Sequence, residues 1–191
     1  MVETLQRRPL IQTNAATAGI FVIFVLCAIM APDSGRFVGP MLFVSFTLAG
    51  VLLILTWIDL DRFLLPNWLT IPLLLLGLVY SYYLGGGFWL ALLGAALGYG
   101  LILGISTYWR RQFGKDGIGL GDAKLLGAGG AWLGVFAIPL ILLVSSGAAL
   151  LAIGLAKLAG HRLDRHAFFP FGPMLALGIW SIWCFPWLVP A

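Results

Sequence analysis

Apolar residues run through this chain in long blocks with few polar interruptions, and they show neither the period-2 alternation of half-buried strands nor the narrow stripe of a soluble helix. A bilayer core of roughly 30 Å needs about 20 apolar residues per crossing helix. On that scale seven spans are predicted: Ala15 to Ala31, Val38 to Ile58, Pro66 to Leu84, Gly87 to Trp109, Asp122 to Ala137, Ile138 to Ala159 and Pro170 to Val189. Helix-breaking or polar stretches separate them: Pro32-Asp33-Ser34-Gly35, Gly85-Gly86-Gly87, Arg110 to Lys115 and Gly160 to His166. The fifth span is short and carries Gly127, Gly129, Gly130 and Gly134. With Gly94 and Gly98, a GxxxG pair in span four, these glycines are expected to let helices approach closely. The first run follows Arg7 and Arg8 as a signal segment would, but it is long enough to span and lacks a good small-residue cleavage site, so it is read as a helix.

Composition agrees with the blocks. The 191 residues are 61% hydrophobic and 9% charged, with a mean hydropathy of +1.04, far from the roughly 25% charged of soluble domains. The fold expected is an all-α, polytopic membrane helix bundle of about seven transmembrane helices, forming a single membrane-embedded domain over 1–191. Cys27 and Cys184 lie in apolar runs without CxxC spacing and read as small buried hydrophobes.

Charge orients the bundle. With a cytoplasmic amino terminus, seven spans put Arg7, Arg8, Arg62, Arg110, Arg111, Lys115, Lys124, Lys157, Arg162 and Arg165 inside and leave Arg36 alone outside. That asymmetry supports the span count. The net charge of +4 then favours anionic lipid at the inner leaflet, and no nucleic acid partner is expected.

Two acids stand out against this background. Asp59 closes the run Val51 to Ile58, and Asp122 closes the turn Gly119-Leu120-Gly121-Asp122. An ionisable group beside a bilayer costs several kcal/mol unless it is used, so two carboxylates reaching one membrane face from different helices form a candidate site. Such a pair, sharing one proton, is suited to activating water: one member is a base, the other an acid. Gly119 and Gly121 are expected to allow a tight entry into span five and close approach of an extended substrate, with Asp122 near a helix amino terminus.

The motifs around these acids resemble a known family. Asp116 to Leu126, containing Gly119-Leu120-Gly121-Asp122 and followed by Gly130-Ala131-Trp132-Leu133-Gly134, resembles the GxGD signature of type IV prepilin peptidases. Asp59 with Pro66-Asn67 seven residues on is similar to that family's other aspartate motif, and Phe169-Pro170-Phe171-Gly172-Pro173 resembles the PFGP element opening its last helix. The likeness runs from about Val51 to Leu188. It implies a GxGD intramembrane aspartyl endopeptidase, with Asp59 and Asp122 catalytic and no metal or other cofactor needed, in the inner membrane of a bacterium. Its site would face the cytoplasm and cut the short basic leader of prepilins or pseudopilins. Many members also methylate the new amino terminus and carry two CxxC pairs in an extension. This chain has neither that cysteine-bearing loop nor its cysteines, so a compact form that acts only as a peptidase is expected.

The remaining polar residues have plainer readings. Asp61 is either a second carboxylate supporting the pair or a solvated interfacial charge beside Arg62, and the second is favoured; the resemblance to the family motif, in its spacing to Pro66, favours Asp59 over Asp61 as the catalyst. Lys124 is expected to snorkel to the interface rather than tune the pair. Lys115 and Asp116 shape the preceding loop, while His161 and His166 lie in a solvated basic loop. Trp57, Trp68, Trp109 and Trp187 fit interfacial belts. Asp59, Asp61 and Asp116 are a candidate acid patch for a basic leader. Two other classes stay open: a small proton-coupled carrier, whose acids would sit near mid-membrane in repeated halves, and a noncatalytic assembly protein of a pilus or secretion system.

Overall fold

The computed structural model describes residues 10–31, 35–84, 87–113, 119–158 and 170–189. Among them are seven α-helices in the order expected of a membrane bundle: α1 (Leu10–Ile29), α2 (Pro40–Arg62), α3 (Asn67–Tyr83), α4 (Phe88–Phe113), α5 (Leu120–Leu133), α6 (Ala137–Leu158) and α7 (Gly172–Cys184). A 3₁₀ turn over Pro186–Leu188 follows α7. Three segments are long and apolar enough to cross a membrane by length and composition, Pro40–Arg62, Phe88–Gln112 and Ala137–Leu155. Arg7, Arg8, Lys115, Asp116, His161, Arg162, Arg165, His166 and Phe169 lie outside the described residues.

The fifth and sixth segments divide earlier than the hydrophobic pattern indicates. Gly134 adopts φ 82°, its N–H donates to the Gly130 carbonyl, and α6 begins at Ala137 after a three-residue turn. At about 1.5 Å per residue, the 14 residues of α5 extend only about 21 Å, short of a full bilayer core. The compensation is burial. Every residue from Leu125 to Trp132 is enclosed by protein, which makes α5 the central helix of the bundle.

Small residues permit that central position. A Cβ added at Gly94 of α4 would lie 2.6 Å from the Gly130 carbonyl oxygen of α5, and one at Gly98 would lie 2.8 Å from the Leu126 carbonyl oxygen. The two backbones therefore touch, as the glycine pattern predicts, and the pairing of 94 with 130 and 98 with 126 makes α4 and α5 antiparallel. Helices α2 and α7 are antiparallel as well. Trp183 Nε1 donates to Ser45 Oγ at 3.0 Å near one end, and Gly172 meets Asp59 near the other.

Tryptophan serves two purposes. Trp57, Trp68, Trp109 and Trp187 are exposed on the bundle surface, as belt residues would be. Trp132, Trp180 and Trp183 are buried, and each indole N–H is satisfied, by Leu73 O, Phe24 O and Ser45 Oγ respectively. Arg36 is held near this core: Nη1 donates to Trp183 O at 2.7 Å, and its guanidinium carbon sits 4.2 Å from the Trp183 ring centroid. The antiparallel pairings place Arg36 at the opposite end of the bundle from Arg62, Arg110, Arg111 and Lys124.

Candidate functional site

Asp59 occupies the last turn of α2 rather than a position beyond it, since the helix continues to Arg62. Its side chain is buried, at 6% exposure, on the stripe formed by Ser45, Leu48, Leu52, Leu55 and Thr56. The helix stops at Phe63, whose left-handed backbone (φ 55°) sends its N–H back to the Asp59 carbonyl at 2.9 Å. Holding an aromatic residue there costs about 1–2 kcal/mol, and no glycine in the sequence signals the turn.

Pro66 then restarts the chain. A proline disfavours helix at the preceding residue, so Leu65 completes the turn, and the Pro66 carbonyl accepts the N–H groups of Leu69 and Thr70 at 3.1 Å to open α3. Both ends of this turn contact the GxGD segment. A Cβ added at Gly121 would lie 2.9 Å from Leu65 Cβ, and Lys124 Nζ donates to Asn67 Oδ1 at 2.5 Å. Gly121 therefore gives room to Leu65, where close approach of substrate was expected. Gly119 and Gly121 are also absent from the positive-φ glycines, so neither needs a left-handed backbone. Lys124 extends to Asn67 instead of standing alone at the interface.

Asp122 lies in the first turn of α5, where the helix dipole favours an anion, and its N–H donates to the Gly119 carbonyl at 3.1 Å. It is half-buried and within electrostatic reach of Asp59. The third motif closes on the other acid. Gly172 N donates to Asp59 Oδ2 at 3.1 Å, and a Cβ at 172 would stand 2.6 Å from that oxygen. All three motifs thus meet at one end of the bundle. Pro66-Asn67 touches the GxGD segment, that segment carries Asp122 toward Asp59, and Gly172 fixes Asp59.

Asp61 faces elsewhere. It is exposed and pairs with Arg62 Nε at 3.6 Å, the solvated arrangement favoured from the sequence, and such a pair contributes about 0–1 kcal/mol. Beside it a cleft of about 560 Å³ opens between the end of α2 and the start of α3, lined by Trp57, Asp61, Arg62, Leu65, Asn67 and Trp68. The opening is amphipathic with aromatic walls, and it lies on the Asp61 side of α2; neither Asp59 nor Asp122 lines it.

One residue near the pair has no sequence motif to mark it. Thr56 Oγ1 is fully buried without a hydrogen-bond partner, the single such side-chain atom among the described residues. Leaving a hydroxyl in that condition costs about 1–3 kcal/mol.

Comparison with known proteins places this arrangement. Residues 46–155, which include Asp59, Pro66, Asn67 and Asp122, match the model of the type IV leader peptidase family. The chain is 42% identical to a prepilin leader peptidase/N-methyltransferase of Aeromonas hydrophila over 179 residues, covering 91% of this chain and 57% of that protein. It is 40% identical to the protein of the same name from Neisseria gonorrhoeae, over 71% of this chain and 46% of the other. The corresponding figures for the Pseudomonas aeruginosa protein are 39%, 69% and 48%. This chain thus spans about half the length of the curated relatives it matches. No solved structure matches it. From the match over 46–155 and these relatives, the chain belongs to the type IV leader peptidase family.

Proposed function

We propose that this protein is an intramembrane aspartyl endopeptidase that cleaves the basic leader from type IV prepilins or pseudopilins. The observation that carries the reading is the placement of Asp59, in the last turn of α2, and Asp122, in the first turn of α5, at the same end of the bundle and within electrostatic reach of one another. In the reaction, water lies between the two carboxyl groups. The ionised member takes a proton from the water as its oxygen attacks the scissile carbonyl carbon, while the protonated member donates to the carbonyl oxygen. Collapse of the tetrahedral intermediate breaks the C–N bond: the departing amine takes up the proton acquired by the base, and a hydroxyl of the intermediate returns a proton to the other carboxylate, which restores the pair. Gly172 supports this chemistry by holding one oxygen of Asp59, and the dipole of α5 acts at Asp122.

The distribution of cations supports a cytoplasmic site. Arg62, Arg110, Arg111 and Lys124 share the end that bears the acids, whereas Arg36 lies at the other. The cleft lined by Trp57 and Trp68 is suited to the apolar helix of a prepilin, with Asp61 at its edge to meet basic leader residues. The same geometry argues against a carrier, whose acids would occupy mid-membrane positions. It also argues against a scaffold, which has no use for a buried, hydrogen-bonded carboxylate facing a second one. The pair of aspartates provides chemistry for hydrolysis, the peptidase part of the relatives' name.

The test is processing of a prepilin-like substrate in membranes by the parent, Asp59→Asn, Asp122→Asn and Asp61→Asn. Loss in the first two, with insertion intact, and retention within about threefold in Asp61→Asn are expected. Cleavage by Asp59→Asn or Asp122→Asn would remove that residue from the mechanism.

A further inference from the structure

The unpartnered hydroxyl of Thr56 is not explained by the fold. Four other hydroxyls in these helices bond to the carbonyl four residues earlier, Thr47 to Phe43, Thr70 to Pro66, Thr107 to Leu103 and Ser145 to Ile141, while Ser45 and Ser81 bond to the more distant carbonyls of Arg36 and Ala131. The equivalent acceptor for Thr56 is the Leu52 carbonyl, one side-chain rotation away, yet that bond is not made. A buried polar atom that forgoes its local partner calls for a specific reason. Thr56 is three residues before Asp59 on the same buried stripe of α2, a spacing that puts the two Cβ atoms about 5–6 Å apart.

We propose that Thr56 is a positioning residue for Asp59: its hydroxyl, unbonded in this structure, binds the carboxyl group through one water or on rotation of either side chain, and sets the rotation of that group opposite Asp122. The inference rests on the peptidase reading above. Gly172 holds Oδ2 alone, so a second contact is needed to fix both oxygens. A hydroxyl is also the right chemistry. It donates to Asp59 when the carboxyl is ionised and accepts from it when protonated, so the contact survives the proton transfers of each turnover. Valine would fill the same space without doing either.

Thr56→Val and Thr56→Ser, in the full chain in lipid vesicles, separate this role from packing. For Thr56→Val, kcat for a prepilin-like peptide should fall about tenfold or more with KM within about twofold, while the melting temperature stays at or above that of the parent because a buried unpaired hydroxyl is gone. Thr56→Ser should restore kcat to within about threefold. A second readout does not depend on turnover: the infrared carboxyl bands of Asp59, identified by their loss in Asp59→Asn, should move in Thr56→Val and remain in place in Thr56→Ser. Parent-like kcat with unmoved bands would overturn the proposal, as would lost activity accompanied by a lower melting temperature and unmoved bands. If the parent itself cleaves no prepilin, the peptidase reading fails, and the infrared bands alone decide whether Thr56 contacts Asp59.

Discussion

The backbone N–H of Gly172 reaches Oδ2 of Asp59 at 3.1 Å across a separation of 113 residues. The contact requires a residue without a side chain, because a Cβ at 172 would stand 2.6 Å from the oxygen and 3.0 Å from the carboxyl carbon. The glycine of the PFGP element therefore belongs to the site as much as to the start of α7. Gly172→Ala must rotate the carboxyl group or lift the helix. Displacements near 1 Å at a reacting group cost up to about 10²-fold, so kcat/KM for a prepilin-like peptide should fall by about that factor while the variant still inserts and folds. Activity within threefold of the parent would show that the contact is dispensable.

The two glycines of GxGD should respond differently to the same substitution. An alanine Cβ at Gly121 would collide with Leu65 at 2.9 Å, while one at Gly119 would meet Asp122 Oδ2 at 3.5 Å and Gly121 N at 4.0 Å, ordinary contacts, on a backbone with φ −65° that any residue adopts. Overpacking of this kind costs about 1–3 kcal/mol, whereas an unstrained substitution costs about 0.5 kcal/mol or less. Thermal unfolding in detergent is the measurement. Equal losses at the two positions would refute the assignment of Gly121 to the Leu65 contact.

Lys124 and Asn67 should be energetically coupled. Their 2.5 Å hydrogen bond links the start of α3 to α5, which carries Asp122. Because the bond is exposed to solvent, a coupling of about 0.5–1 kcal/mol is expected from the cycle of Lys124→Met, Asn67→Ala and the double variant. Additive effects would mean that the bond does not join the two motifs in solution.

What could be read from the sequence follows from which forces are local. Length and hydrophobicity locate helices because a span is set by bilayer thickness, and seven helices occur where seven blocks were predicted. The division between α5 and α6 was harder to place, since residues 125–156 contain no charged residue and the break is made at the positive-φ backbone of Gly134, with Pro139 in the first turn of α6. The same holds at the site. Motifs marked Asp59 and Asp122, but Leu65 against Gly121 and Gly172 against Asp59 are contacts between distant segments, and spacing along the chain says nothing of them. Phe63 and Thr56 had even less signal: a left-handed turn without glycine, and a threonine that looks like any other in an apolar helix.

The seam between α4 and α5 offers a control within a single helix. Gly94 and Gly98 face the α5 backbone at 2.6 and 2.8 Å, but a Cβ at Gly100 or Gly104 of the same helix would meet nothing within 4 Å. Alanine at the two open positions replaces the poorest non-proline helix former with the best, so stability should hold or rise, by up to about 1 kcal/mol. Alanine at Gly94 must instead push α5 away from α4, with a loss of about 1–3 kcal/mol. Since α5 carries Asp122, Gly94→Ala should also depress peptidase activity more than it depresses the folded fraction at the assay temperature. Melting curves and processing rates measured on Gly94→Ala, Gly100→Ala and Gly104→Ala decide the matter; a Gly94→Ala protein as stable and active as the other two would show that the helices do not meet along this seam.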